Sequence, residues 1–147
     1  MEELLEYHYN DGGRSKYFKG TAGDCCCRAI TIATGMDYKE VYDLVNKFAK
    51  EEKPSKRRRG LSSARNGVHK ITMQKIMDYL GFTWVPCMHI GSGCTTHLRR
   101  NEIPMDKTII VNLSRHFSCI VNGVVNDTFD CTRDGNRCVY GYWVREN

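Results

Sequence analysis

The sequence predicts an α+β fold in one domain spanning residues 1–147, with N-terminal helices packed on a C-terminal antiparallel sheet. Three observations lead there. A chain of 147 residues is the length of one domain and buries enough apolar surface to fold without metals or disulfides. Before Gly81, apolar residues recur at helical spacing. After Gly81, runs of β-branched and aromatic residues bounded by turn residues take over, and helices followed by strands read as α+β.

The elements follow in order. Asp24 to Thr34 lies between Gly23 and Gly35, carries Ala29, Ile30, Ile32 and Ala33, and reads as a buried helix with Asp24 as N-cap. A second helix runs from Asp37 to about Glu52, with Tyr38, Val41, Tyr42, Leu44, Val45, Phe48 and Ala49 on one stripe. From Lys53 to Asn66, Pro54, Gly60 and the absence of apolar periodicity indicate an exposed connection. Ile71, Met73, Ile76, Met77 and Leu80 mark a third helix closed by Gly81. Phe82 to Val85 then reads as a short strand, Ile90 to Cys94 as a glycine-rich loop, and Thr108 to Leu113 as a strand. His116 to Val121 and Val124 to Thr128 flank Asn122-Gly123, a strong hairpin signal. Val139 to Val144 supplies the last strand.

Composition narrows the function. With 41% hydrophobic and 27% charged residues, the chain resembles ordinary globular domains rather than a disordered tail. A net charge of +5 falls short of the basic surface that marks a nucleic-acid binder, so nucleic acid is not an expected partner. No apolar run approaches the roughly 18 residues of a membrane span, and no membrane partner is expected. The acidic opening Met1-Glu-Glu-Leu-Leu-Glu-Tyr lacks the basic start of an export signal, which points to a cytoplasmic protein. Of the eight cysteines, three are consecutive, and adjacent cysteines rarely bridge. Mostly reduced thiols are expected.

The chemistry-bearing residues start with Cys25. A helix N-terminus lowers a thiol pKa because its free N–H groups and dipole stabilise the anion, and Cys25 directly follows the N-cap position. Its own N–H is one donor for a developing oxyanion. Cys26 and Cys27 turn away by roughly 100° per residue; a plain reading of the triplet as small core fillers stands beside the catalytic one. His116 is the best-placed base. If Asn122-Gly123 forms a two-residue turn, Ser118 lies opposite Asp127, and His116 becomes its diagonal neighbour on the same face. Asn126 points to the other face. Cys25 as nucleophile, His116 as base and Asp127 as orienting carboxylate make a triad.

The order of Cys on an early helix, His on a later strand and Asp on the next resembles papain-like cysteine peptidases and their C39-type relatives. Gly23-Asp-Cys-Cys-Cys-Arg-Ala29, Gly91-Ser-Gly-Cys94, Arg115-His116, Asp127-Thr-Phe-Asp130 and Tyr140-Gly-Tyr-Trp143 are similar to a phage and bacterial family with a Gly-Asp-Cys-x-x-Arg-Ala motif. The resemblance runs from about Gly20 to Trp143. It implies a papain-like fold and a thiol-dependent hydrolase, a cysteine peptidase, isopeptidase or amidase, acting through a thioester on a protein or peptide substrate. It also implies a phage-encoded alternative: a catalytically weak scaffold that binds or inhibits a host protein. Papain-like enzymes place a Gln six residues before the nucleophile as second oxyanion donor. Lys19 stands there in this sequence, which leaves Lys19 and Thr21 as oxyanion candidates.

Other motifs carry less. Cys87, His89, Cys94, His97, Cys131 and Cys138 could supply zinc ligands by count, but no Cys-x2-Cys pair occurs among them, so neither metal nor cofactor is expected. Lys56-Arg-Arg-Arg59 lacks interleaved aromatics for base stacking and reads as a solvated loop. Gly91-Ser-Gly93 lacks the lysine of a phosphate loop and reads as a turn.

Overall fold

The computed structural model describes residues 3–53 and 61–145. The basic run Lys56 to Arg59 lies outside the described residues. The chain begins with strand β1 (Glu6–Tyr9) and a 3-10 turn over Arg14–Lys16, followed by helices α1 (Cys25–Thr34), α2 (Tyr38–Ala49) and α3 (Lys70–Tyr79). Strands β2 (Thr83–Pro86), β3 (Thr108–Leu113), β4 (His116–Val121), β5 (Val124–Asp127) and β6 (Gly141–Val144) complete it. The α+β class stands. No helix among the described residues is long and apolar enough to cross a membrane.

The strands form one sheet in the order β1-β5-β4-β3-β6-β2. This corrects the expectation of a purely antiparallel sheet that follows the helices, because β1 precedes them and runs parallel to β5, with Glu6 opposite Val124 and Tyr9 opposite Asp127. All four residues of β1 are exposed, so no burial periodicity marks it in the sequence. Backbone pairing along an edge creates it, and the Asn10 N–H extends the contact to the Asp127 carbonyl at 2.9 Å.

Apolar residues cover both faces of the sheet, which is why β3 and β4 are apolar almost throughout. On one face Ile110, Phe117, Cys119 and Trp143 meet Ile30 of α1, Val41 and Val45 of α2, and Met73 and Ile76 of α3. On the other, Ile109, Val111, Ile120 and Val125 pack with Leu5, Leu98, Ile103, Cys131 and Val139 from irregular segments. These segments are tied by a Cys94–Cys138 disulfide, with Cα atoms 5.9 Å apart, an ordinary span for such a bond. The expectation of mostly reduced thiols is corrected for this pair: an antiparallel bridge between His97 and Cys138 brings the two chain segments together. Six cysteines are free.

Helix boundaries shift for identifiable reasons. Asp37 lies just outside α2 as its N-cap, and its side chain accepts the Lys39 N–H. The helix stops at Ala49 rather than Glu52. The Glu52 carboxylate instead takes the Ser62 N–H at 2.7 Å and the Thr72 hydroxyl, tying the connection to α3. Gly35 ends α1 in the left-handed region at φ 75°, its N–H on the Thr31 carbonyl.

Gly141 reports on the β2/β6 seam. A Cβ there would lie 2.9 Å from the Val85 carbonyl oxygen and would collide with the Trp84 ring. Gly141→Ala should lower stability by about 1–3 kcal/mol, read from the urea midpoint; an unchanged midpoint would show that the seam is looser than described.

Candidate active site

Cys25 is the first residue of α1, and Asp24 before it occupies the N-cap position without capping the helix. The Asp24 carboxylate is fully buried and turns inward. It accepts from Arg28 one turn along the helix, from the Tyr38 hydroxyl at the start of α2, and from Arg14 at 3.4 Å. A buried carboxylate is tolerated only with such partners. Because its oxygens serve these side chains, the first-turn N–H groups of α1 are left uncapped beside the Cys25 sulfur, where the positive end of the helix dipole lies.

The β-ribbon supplies the other two groups. Cys119 pairs with Asn126, Ile120 with Val125 and Val121 with Val124, so the next pair along is Ser118 with Asp127, and His116 is diagonal to Asp127 as the Asn122-Gly123 turn implies. His116 Nε2 lies 2.6 Å from Asp127 Oδ2. Ser118 donates its hydroxyl to the same oxygen at 2.7 Å, and the Thr128 N–H donates to Oδ1 at 2.7 Å. Asn126 instead accepts from the Asn10 side chain at 3.1 Å. The Cys25 and Cys131 side chains also act on the His116 ring, and Cys25 and His116 line the same cleft. The fold thus brings Cys25, His116 and Asp127 together.

Electrostatics follow from these contacts. Burial pushes the Cys25 thiol up, but the hydrogen bond and charge of His116, the Phe117 N–H and the Arg28 guanidinium together hold it below the ordinary thiol value. Burial disfavours charge on His116, yet hydrogen bonds to Asp127, Cys131 and Cys25 outweigh it and raise the ring to about 11. Burial opposes ionisation of Asp127 as well, and its bonds from His116, Ser118 and Thr128 overcome that and lower it. These shifts run in the direction that favours a thiolate–imidazolium pair backed by a carboxylate. Burial dominates at the neighbours, reinforced by nearby acidic groups: Cys26 and Cys27 are pushed up, and Cys119 rises to about 12. Of the triplet, Cys25 is the one with a nucleophile's environment.

Arg28 was not singled out by its sequence position, although its i,i+4 spacing from Asp24 was a readable signal. It contacts Asp24 through Nη1, while Nη2 lies 3.6 Å from Asp127 Oδ1. One guanidinium therefore joins the start of α1 to the end of β5. The sequence places Ser118 opposite Asp127 and counts Cys131 among possible ligands, but only the structure shows that both act on the His116–Asp127 pair.

A cleft of about 1010 Å³ runs past Cys25 and His116. Lys19 and Thr21 both line it, as do Asn66 and Phe129. Ligand atoms of His116, Asp127 and Cys131 lie within 4.8 Å of one another and are the group among the described residues that could hold a metal ion. Those His116 and Asp127 atoms are already engaged in hydrogen bonds. Of the cysteines counted as zinc candidates, Cys94 and Cys138 are joined to each other.

Comparison with family models, with curated proteins and with solved structures gives no match for this chain. The papain-like resemblance rests on its sequence motifs alone.

If His116 holds Cys25 as thiolate, His116→Ala should move the midpoint of the pH dependence of iodoacetamide alkylation at Cys25 upward, toward the ordinary thiol value of 9.0. Arg28→Met should move it in the same direction by less. The sign follows from loss of positive charge beside a group whose pKa is lowered in the fold. Superimposable profiles for parent and His116→Ala would remove the coupling.

Proposed function

We propose that the chain is a thiol-dependent hydrolase or acyltransferase acting on amide or isopeptide bonds of a protein or peptide. What supports this reading above all is the placement of Cys25, at an uncapped helix tip, in one cleft with an imidazole whose Nε2 is bound to a buried carboxylate at 2.6 Å. With Nε2 committed to Asp127, Nδ1 is the ring nitrogen left to exchange a proton with Cys25.

The chemistry follows. The Cys25 thiolate attacks the carbonyl carbon, and the carbonyl oxygen takes up the negative charge beside the α1 N–H groups. His116 donates its proton to the leaving amine as the C–N bond breaks, which leaves a thioester on Cys25. Water or an amine enters, gives a proton to His116 and expels the thiolate. Asp127 fixes the tautomer and stabilises the imidazolium throughout. Lys19 and Thr21, both on the cleft, are the side-chain candidates for the second oxyanion donor.

The test uses an activated acyl ester with mass spectrometry of the intact chain. One acyl group should accumulate on Cys25 and be released by hydroxylamine, and Cys25→Ala should form none. His116→Ala should slow acylation by about two to four orders of magnitude. Acylation of Cys25→Ala at the parent rate would overturn the assignment. Stoichiometric capture of a protein by the parent chain without thioester formation would instead favour the binding-protein reading.

A further inference from the structure

Behind His116 lies a second cavity, of about 550 Å³, lined by Arg115, His116, Asp130, Cys131, Arg133 and Arg137. It meets the main cleft at Arg115 and His116, which line both. Arg137 is the unusual member. Only 6% of it is exposed, and buried arginines normally face a carboxylate. Here Nη2 donates to the Ser114 carbonyl at 2.6 Å, Nε has no partner, and no acidic side chain forms an ion pair with it among the described residues.

The neighbours add to the imbalance. Arg133 and Arg115 are exposed and form no ion pair among the described residues. Both stand in the left-handed region, at φ 53° and 56°, a conformation that non-glycine residues rarely adopt. Asp130 is the one carboxylate on the wall, and its Oδ1 already accepts from the Thr132 N–H and hydroxyl. Three guanidinium groups stand against the one carboxylate on the wall, so the lining is net positive, with Asp127 set against His116 behind it. Burial first and the charge of Arg133 second reduce the affinity of Arg137 for its proton, against opposite contributions from Cys131, Tyr140 and Asp127.

We propose that Arg137, Arg133 and Arg115 form a binding site for a phosphate group in the cavity beside His116. An anion suits the net positive lining, and forked guanidinium donors suit the oxygens of a phosphate. Arg137 gives the buried floor of the site and the two exposed arginines its rim. The inference does not rest on the thiol chemistry, since the site would bind phosphate whether or not Cys25 turns over.

Calorimetric titration of the whole chain with inorganic phosphate tests it. One phosphate per chain is expected, with Kd rising about tenfold or more in Arg133→Ser and in Arg137→Met, since a charged hydrogen bond contributes at least that factor. Lys47→Ser, an exposed change of equal charge on α2, should leave Kd unaltered. Arg133→Ser alters an exposed side chain, so the test does not depend on Arg137→Met folding. A phosphoserine peptide that binds more tightly than inorganic phosphate, with the same arginine dependence, assigns the site to a phosphorylated chain; weaker or equal binding assigns it to the free ion. The absence of saturable binding, or equal affinity in parent and both arginine variants, would overturn the proposal.

Discussion

Arg28 holds two buried carboxylates at once, Asp24 at the start of α1 and Asp127 at the end of β5. Each carboxylate has its own further partners, Tyr38 and Arg14 for the first, His116 and Ser118 for the second. The guanidinium therefore couples the element that carries the thiol to the element that orients the imidazole. Removing it would leave two buried anions short of a counter-charge, which is far more costly than never burying them. The bridge adds to the apolar packing of α1 on the sheet in fixing where Cys25 stands relative to His116.

Charge alternates through the region: Asp24, Arg28, Asp127, His116, Cys25. Each group is flanked by its opposite, so burial, which taken alone would neutralise a carboxylate, an imidazole and a thiol, is overcome at Asp127, His116 and Cys25. The effect on folding has a definite sign. His116, raised to about 11, contributes stability that is fully present below its ordinary value near 6.5 and is lost as pH rises through the folded value. Asp127 and Cys25 are lowered; their contributions are present above their ordinary values and lost as pH falls through the folded ones. Cys26 and Cys27, adjacent in sequence, are pushed up chiefly by burial, which at Cys27 outweighs the charges of Arg28 and Arg14.

Much of this was legible in the residues. The Asn122-Gly123 turn set the register that makes His116 and Asp127 diagonal neighbours, because a two-residue turn leaves one pairing for the strands it joins. Three helices were readable from apolar spacing, and β3 and β4 from their β-branched runs. Strand β1 was not, since an exposed edge strand held by backbone bonds has no apolar alternation. Asp24 reads as a cap from its position, and only the buried Arg14, Arg28 and Tyr38 show why its carboxylate turns away. The Cys94–Cys138 pairing and the unpaired Arg137 depend on irregular segments folding over the second face of the sheet, where neither periodicity nor turn chemistry specifies contacts.

The most direct measurement of the thiolate–imidazolium pair is the nitrogen-15 NMR spectrum of the His116 ring near pH 7. Both ring nitrogens should be protonated in the parent, because Asp127 holds one N–H and the Cys25 anion the other. A neutral ring in the parent, titrating near the ordinary histidine value, would contradict the pairing.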